Sequence, residues 1–275
     1  MDKAVIIGAF EFIGFYFCEK MLEMGYEVLG IHFDDQDDKL VEEKKLQIGR
    51  NANFSETKIE DWLNDTKQVS EKQIFILDLY DLYIGRRDAT FQKQLVATQL
   101  AEFFKSRNQL NDTVVFVLPI QCLTVDERND SIGLLKDFLE KFSAQADICQ
   151  FLYLPAVYGR WQPSVCCFQK CFEGKHEDVQ ELDDREWKGD ALYADDLIGP
   201  MMEIIEEGKP GHYLLESGEA NRWKNCAEFL TIQYREDDRF IAREGDQIQR
   251  VSLPKNTSIP DSLTKQQEHF NRSRR

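Results

Sequence analysis

Short apolar runs alternate with amphipathic stretches over the first 155 residues of the chain. Apolar runs that end in glycine, proline or polar residues predict buried strands at 3–8, 26–33, 73–79, 113–118 and 148–154. Apolar side chains at helical spacing predict helices at 12–24, 88–107 and 131–146. Because parallel strands are joined by crossovers of helix length, this alternation predicts an α/β fold with a Rossmann-like, doubly wound parallel sheet.

The remaining segments have weaker patterns. The charged segment 34–72 predicts loops and short helices on the surface. The sequence after Pro155 predicts a helix at 164–172, a helix that Asp196 caps, and a strand at 212–216. These patterns predict a Rossmann-like dinucleotide-binding-type domain at 1–155, a smaller substrate-type subdomain at 156–252 with segments that return to the Rossmann part, and a flexible tail at 253–275.

Composition restricts the classes of function. The 275 residues include 34 Lys and Arg against 50 Asp and Glu, a formal net charge of −16, and 42% of them are hydrophobic. The hydrophobic content supports a packed core, while the negative charge disfavours nucleic acid and anionic membrane surfaces as partners. No apolar run reaches the roughly 20 residues that a membrane span needs, and no signal-peptide pattern is present. We therefore expect a cytoplasmic protein.

Seven unevenly spaced cysteines indicate reduced thiols rather than a disulfide framework. Cys166, Cys167 and Cys171, followed by His176, offer soft metal ligands, but the sequence lacks the paired ligand spacing that is typical of structural zinc sites. Half-buried helix cysteines are the favoured interpretation, and no metal is expected.

The turn between the first predicted strand and helix contains Gly8 and Gly14, spaced like the outer glycines of a dinucleotide-binding turn. Such glycines let the backbone approach a pyrophosphate at the helix start. The middle position is Glu11, whose carboxylate adds bulk and repels the pyrophosphate by on the order of 4 kcal/mol at an effective dielectric near 20. The same carboxylate complements the helix dipole. The pattern therefore favours a structural turn that holds no NAD in the standard pose.

Four segments of the chain carry a family resemblance. They are the turn at 8–14, Leu154-Pro155-Ala156-Val157-Tyr158-Gly159-Arg160-Trp161-Gln162-Pro163, Gly189-Asp190-Ala191-Leu192-Tyr193-Ala194-Asp195-Asp196-Leu197 and His212-Tyr213-Leu214-Leu215-Glu216-Ser217-Gly218. In this order they resemble the extended short-chain dehydrogenase/reductases, the NAD-dependent epimerase/dehydratase family that acts on nucleotide sugars. The resemblance covers most of residues 1–216 and implies NAD or NADP as cofactor and a nucleotide or nucleotide sugar as ligand. It also implies a homodimer through the helices at 88–107 and 131–146, and a protein partner stays open.

The resemblance and the residues around the implied cleft give two groups of candidate site residues. The cofactor group is Gly8, Phe10, Glu11, Phe12, Ile13, Gly14, His32, Asp34, Lys136 and Pro155. In this group His32 occupies the position of the family's ribose-binding acid, and Asp34 follows it. The substrate-type cleft group is Tyr80, Arg86, Tyr158, Arg160 and Trp161. Arginines beside a cleft suit an anionic or nucleotide ligand, although they also suit salt bridges with the many acids.

The catalytic segment departs from the family. The family pairs an acid/base tyrosine with a lysine in a Y-x-x-x-K helix, whereas this chain has Ile132 at the tyrosine position and retains Lys136. We therefore predict a degenerate, non-catalytic member with a binding, sensing or partner role. One alternative is an active NAD-dependent epimerase, dehydratase or reductase on a nucleotide sugar, with Tyr80, Tyr83 or Tyr158 as substitute acid/base. The other is a structural dimerisation module with an empty cleft.

Overall fold

The fold of the chain is known from a computed structural model. It describes residues 2–33, 39–64, 71–87, 94–107, 112–124, 130–142, 149–175, 185–234 and 248–273.

Most of the strands belong to one parallel sheet. The strands are β1 (Lys3–Ile7), β2 (Glu27–His32), β3 (Phe54–Lys58), β4 (Gln73–Asp78), β5 (Thr113–Pro119), β6 (Cys149–Leu154), β7 (Ala156–Tyr158), β8 (Ala191–Tyr193), β9 (Gly211–Glu216) and β10 (Ile248–Ser252). Eight of them form the central sheet in the order β10-β9-β6-β5-β4-β1-β2-β3, with every neighbouring pair parallel. Strands β7 and β8 form a separate parallel pair.

Helices connect these strands. They are α1 (Phe12–Glu23), α2 (Lys39–Ile48), α3 (Ile59–Asn64), α4 (Tyr80–Ile84), α5 (Gln94–Arg107), α6 (Asp130–Glu140), α7 (Cys167–Phe172), α8 (Ala194–Glu207), α9 (Arg222–Phe229) and α10 (Ile259–Ser273), and a 3-10 turn covers Ile120–Leu123. Helices flank the parallel sheet, so the predicted Rossmann-like fold is confirmed.

The strand order reverses between β1 and β4, which makes this pair the topological switch point of the sheet. Their register pairs Ile7 with Leu77, so Gly8, which follows β1, and Asp78, the last residue of β4, lie side by side at the carboxyl end of the pair. Open α/β sheets bind ligands outside the carboxyl ends of their strands at such a point. The residues that follow β1, β4, β5 and β6 are therefore the candidates for ligand binding.

The residues that the structure describes form two apolar cores. In the main core, Phe75 and Phe116 of the sheet each contact a helix-side ring, Phe104 and Phe142, with centroids 5.2 Å apart in both pairs. A smaller core surrounds β7 and β8, and its largest buried side chains are Tyr158, Phe168, Tyr193 and Trp223. The second core gives the carboxyl-terminal segments a packed centre of their own.

The predicted flexible tail at 253–275 is wrong, because α10 occupies most of it. Leu263 is 1% exposed in the smaller core, and Ser262 hydrogen-bonds the hydroxyl of Tyr158 at 2.9 Å. Further along the helix, Gln266 donates to Gln162 at 2.7 Å and His269 packs edge-on against Trp161. Helix α10 is therefore an integral part of the fold.

Two local expectations are also corrected. The segment 34–72, predicted as loops and short helices, contributes the edge strand β3 as well as α2 and α3. Asp196 does not cap α8, which begins at Ala194, because its carboxylate accepts from the N–H and hydroxyl of Thr257 at 2.6 and 2.7 Å. Through these two hydrogen bonds, the carboxylate instead holds the segment before α10 against α8.

Within the described ranges, no helix is both long and apolar enough to cross a membrane.

Candidate functional site

Two glycines bring β1 and α1 together at the switch point. Gly8 has a φ of +94°, and a Cβ on Gly14 would lie 2.0 Å from the Gly8 carbonyl oxygen. Asp78 closes the space beside them, since its Cβ would lie 3.1 Å from a Cβ on Gly8. Because backbone and side-chain atoms fill this space, only glycine fits at position 14. Strand–helix packing thus requires the glycine spacing, whether or not a ligand binds.

The first turn of α1 donates to carboxylates of the chain itself. The N–H of Gly14 donates to Asp78 Oδ2 at 2.8 Å, and the N–H of Ile13 donates to Asp81 Oδ2. Asp78 is 0% exposed and Asp81 is 2% exposed. The N–H groups of a first turn are the donors that a helix offers to a bound anion. Here two of these donors have internal acceptors.

Asp78 and Asp81 interact with each other at the end of β4. The N–H of Asp81 donates to Asp78 Oδ1 at 3.1 Å. Burial and then the neighbouring Asp81 raise the pKa of Asp78 well above its usual value. Burial also raises the pKa of Asp81, while its hydrogen bonds and the charge of Lys44 oppose that rise. Burial thus favours the protonated form of Asp78, while the hydrogen bonds of Asp81 and the charge of Lys44 favour the ionised form of Asp81.

Cations surround the Glu11 position. The Glu11 carboxylate pairs with the Arg87 guanidinium, and their side chains are 13% and 23% exposed. Lys44, which is buried, donates from Nζ to the carbonyl oxygens of Phe10 and Glu11 at 2.8 and 3.0 Å. Cations of the chain itself thus offset the charge of Glu11. The repulsion expected from the sequence considered Glu11 alone, without these cations.

The Tyr80 side chain crosses the carboxyl edge of the sheet. Its hydroxyl donates to the Pro155 carbonyl oxygen at 3.0 Å and accepts from the N–H of Val157 at 3.0 Å. Tyr80 follows β4 and Pro155 follows β6, and these two strands flank β5. The phenol therefore spans the end of β5, where it is 3% exposed. Its position fills part of the edge at which a doubly wound sheet binds ligands.

Arg185 fills the neighbouring part of this edge. It is 7% exposed and donates to the Tyr83 carbonyl oxygen and to Ser131 Oγ, both at 2.8 Å. Its guanidinium carbon lies 5.2 Å from the centroid of the Tyr83 ring. Gln121, which follows β5, donates its side-chain amide to the Arg185 carbonyl oxygen. The arginine thus connects the segments after β4 and β5 to the start of α6.

No family model matches the sequence, and no curated protein matches it either. Solved structures do match the fold over nearly the whole chain. A dTDP-glucose 4,6-dehydratase from Bacillus anthracis in complex with NAD is 13% identical, with a TM-score of 0.67 and coverage of 99% of this chain and 97% of that chain. A UDP-glucuronic acid 4-epimerase from Bacillus cereus in complex with UDP-glucuronic acid and NAD is 14% identical, with a TM-score of 0.65 and coverage of 98% and 99%.

A third solved structure, the NAD-dependent NDP-hexosamine 5,6-dehydratase TunA, is 10% identical, with a TM-score of 0.66 and coverage of 99% of this chain and 98% of that chain. The chain has the epimerase and dehydratase fold. At such identities the likeness extends to the fold alone, so the chemistry has to be argued from the side chains of this chain.

The side chains at the carboxyl edge of this epimerase and dehydratase fold do not fit a dinucleotide. The donors of Ile13 and Gly14 are bonded to buried carboxylates, and Tyr80 occupies the end of β5. A pyrophosphate at the start of α1 would have to displace Asp81, whose negative charge opposes it. The present arrangement therefore conflicts with the cofactor that the fold family implies.

The position of the family's catalytic tyrosine holds an apolar core side chain. Ile132 lies on α6 and is 2% exposed. Lys136, retained from the family pattern, donates from Nζ to the Thr124 carbonyl oxygen at 3.2 Å. An aliphatic side chain carries no exchangeable proton, so this helix supplies no acid/base group at position 132.

The other candidates for the cofactor group have structural contacts. Phe10 is 1% exposed and packs against His32 with ring centroids 5.8 Å apart. Burial and then Lys45 lower the pKa of His32. Phe12 is also buried, with its ring 5.8 Å from that of Tyr16. Asp34 lies outside the described residues.

The structure shows the surroundings of three candidates for the substrate-type cleft. Tyr158 is fully buried in the smaller core. Arg160 forms ion pairs with Glu19 and Asp195, each at 3.4 Å, and Trp161 packs edge-on against Phe15 of α1. Arg160 and Trp161 connect the segment after β7 with α1, and Arg160 also connects it with Asp195 of α8.

Arg86 is the remaining candidate of that group. It is exposed just after α4, with a φ of +56°. Its position follows Tyr83, beside the part of the edge that Arg185 fills.

The cysteines agree with the structural interpretation. Cys166 and Cys167 are buried, Cys171 is partly buried, and all three are free thiols. In the part of the chain that the structure describes, no three metal-ligating side chains come together, and His176 lies outside that part.

Sequence reasoning missed the side chains that define this edge, which are Lys44, Asp78, Asp81 and Arg185. One signal was present for two of them, because Asp78 lies near the end of a predicted strand and Asp81 follows it, and the carboxyl end of that strand lies at the ligand-binding edge. The other two come from distant segments, and only the folded chain brings them to the site.

Proposed function

We propose that this chain is a non-catalytic protein of the epimerase/dehydratase type, with a binding, sensing or partner role in place of nucleotide-sugar redox chemistry. The observation that carries the proposal is the Tyr80 side chain, which bridges from β4 to the residues after β6 across the ligand-binding edge. The aliphatic side chain at position 132 supports it, because hydride chemistry at a sugar hydroxyl needs a group that transfers a proton.

The substitute acid/base candidates, Tyr80, Tyr83 and Tyr158, are all buried, which argues against this role. Burial raises the pKa of Tyr80 well above its usual value, and it raises that of Tyr158 as well. The hydroxyl of Tyr80 is engaged by Pro155 and Val157, and that of Tyr158 by Ser262. Because both phenols are buried, neither hydroxyl is within reach of a substrate hydroxyl.

The competing proposal is an active NAD-dependent epimerase or dehydratase. Its support is the fold, because the similar solved structures include a dehydratase and an epimerase in complex with NAD. This proposal requires Tyr80 and Asp81 to move when a ligand binds. The two proposals therefore predict different responses to nucleotides.

Thermal unfolding of the full chain with NAD⁺, NADH, NADP⁺ and UDP-glucose separates them. A ligand at about 100 times its dissociation constant adds roughly 2.7 kcal/mol to the free energy of unfolding. We expect no stabilisation by the dinucleotides and no change in absorbance from NADH formation or consumption. The Bacillus cereus epimerase, measured alongside, serves as the positive control. Stabilisation by NAD⁺ together with turnover of a sugar nucleotide would contradict the proposal.

A further inference from the structure

A cavity of about 220 Å³ lies at the amino edge of the sheet, opposite the edge that Tyr80 and Arg185 fill. The first residues of β1, β4 and β5 line this amino-edge cavity on one side, and the end of α8 lines it on the other. Its volume is that of about seven water molecules at roughly 30 Å³ each. The cavity is open to solvent, so a ligand of the size of a free amino acid can enter it.

Two polar groups that line the amino-edge cavity have no partner in the described part of the chain. Gln73 is 8% exposed, and no described group hydrogen-bonds its side-chain amide. The same holds for the hydroxyl of Tyr26, which is partly buried. Because buried polar groups normally have hydrogen-bond partners, these two groups are available to a molecule in the cavity.

The cavity also has a negative side. Burial, and then the charges of Glu206 and Asp2, raise the pKa of Tyr26, so both carboxylates lie near its phenol. Neither carboxylate forms an ion pair with a described residue. The last turn of the 14-residue helix α8 adds the partial negative charge of a helix C-terminus. This side of the cavity therefore favours cationic groups.

One lysine gives the cavity a positive charge. Lys72 lines it and forms no ion pair within the described ranges. Lys3 lines it as well, but its ammonium pairs with Glu71 at 2.9 Å and lies 3.9 Å from Glu27. The charges that remain to be matched by a ligand are thus two carboxylates and one ammonium.

We propose that the amino-edge cavity binds a free amino acid with a basic side chain. The two cationic groups of such a ligand match Asp2 and Glu206, and its carboxylate matches Lys72. Tyr26 and Gln73 supply neutral hydrogen bonds. The inference goes beyond the proposed function, since it assigns a ligand class at the opposite edge of the sheet.

Titration calorimetry of the full chain with L-arginine and L-lysine tests the proposal. We expect saturable binding of one ligand per chain by the wild type. Glu206→Gln and Lys72→Gln each remove one matching charge at an exposed position, and we expect each to bind about tenfold more weakly.

Two matched controls carry the same charge changes outside the cavity. Glu203→Gln lies at an exposed position of α8, and Lys265→Gln lies at an exposed position of α10. We expect both to bind the basic amino acids as the wild type does. An equal loss of affinity in the controls would overturn the inference, because net charge would then explain the effect.

Ligands that lack one of the charges test the match from the other side. L-leucine lacks the second cation and cadaverine lacks the carboxylate, so we expect both to bind about tenfold more weakly than L-lysine. Equal binding of either one would overturn the inference. So would the absence of saturable binding of L-arginine and L-lysine up to about 10 mM. Binding of NAD⁺ with turnover of a sugar nucleotide would instead overturn the proposed function and leave this inference intact.

Discussion

Gly14 packs so closely against the end of β1 that any side chain there must displace backbone. A Cβ at this position would lie 2.0 Å from the carbonyl oxygen of Gly8. We expect Gly14→Ala to lower the free energy of unfolding by about 3 kcal/mol or more, since overpacking alone costs about 1–3 kcal/mol. Urea denaturation gives the measurement.

Gly133→Ala is the matched control for this substitution. Gly133 lies exposed on α6, and a Cβ there would meet nothing within 4 Å. We expect alanine to stabilise that helix by about 0.5–1 kcal/mol. Equal effects of the two substitutions would contradict the packing account of the glycine turn.

Asp78 gives the stability of the chain a pH dependence of known sign. Its pKa in the folded chain lies well above the value of about 3.9 for an unfolded aspartate, because of burial and the neighbouring Asp81. The folded chain thus holds a proton that the unfolded chain releases. Its stabilising contribution is complete below about pH 4 and is lost as the pH rises toward the folded pKa.

Asp78→Asn removes this proton equilibrium. The amide also loses one of the two hydrogen bonds that the carboxyl group accepts, so the variant is less stable in absolute terms. We expect the difference in the free energy of unfolding between variant and wild type to shift in favour of the variant from about pH 5 to about pH 8. Denaturant titrations across this range test it, and the absence of a shift would show that Asp78 is already ionised in the folded chain.

At the scale of single residues, the sequence predicted the glycine turn but not what fills the site. Gly8 and Gly14 are recognisable because only glycine meets the local backbone demand. The acceptors of the turn lie 64 and 68 residues away from their donors. Hydrogen bonds between such distant positions leave no periodic signal in the sequence. For the same reason, the repulsion between Glu11 and a pyrophosphate could be estimated from the sequence, but the ion pair of Glu11 with Arg87 could not be predicted.

At the scale of elements, β1, β2, β4, β5 and β6 were predictable because buried parallel strands are continuous apolar runs. Helix α10 was not. Of its buried residues only Leu263 is apolar, and Ser262 and Gln266 are held by hydrogen bonds. A helix that buries polar side chains lacks the apolar stripe on which periodicity depends. The edge strand β3 also lacks a continuous apolar run, since all five of its residues are exposed or partly exposed.

The packing of α10 can be tested at one residue. Leu263 is 1% exposed in the smaller core, so we expect Leu263→Ala to cost about 2–5 kcal/mol in the free energy of unfolding. Thr264→Ala, at the next and exposed position of the same helix, should change it by no more than about 0.5 kcal/mol. A small cost for Leu263→Ala in the full chain would show that α10 does not pack as described.

At the scale of the whole molecule, apolar burial maintains the sheet while a few polar side chains decide its chemistry. The sheet order and the likeness to solved epimerases and dehydratases extend over nearly the whole chain, while Asp81 and Arg185 fill its ligand-binding edge. A fold can therefore be retained when side chains of the protein itself occupy its ligand-binding edge. A homodimer through α5 and α6 stays a prediction, which light scattering of the full chain would test.

A crystal structure of the full chain, grown with saturating NAD⁺, tests the central claim most directly. The account predicts that the Tyr80 hydroxyl remains bonded to Pro155 and Val157, that Asp81 remains on the N–H of Ile13, and that no density for a dinucleotide lies along the carboxyl edge. Density for NAD with its pyrophosphate at the start of α1, and with Tyr80 turned away from the end of β5, would contradict it.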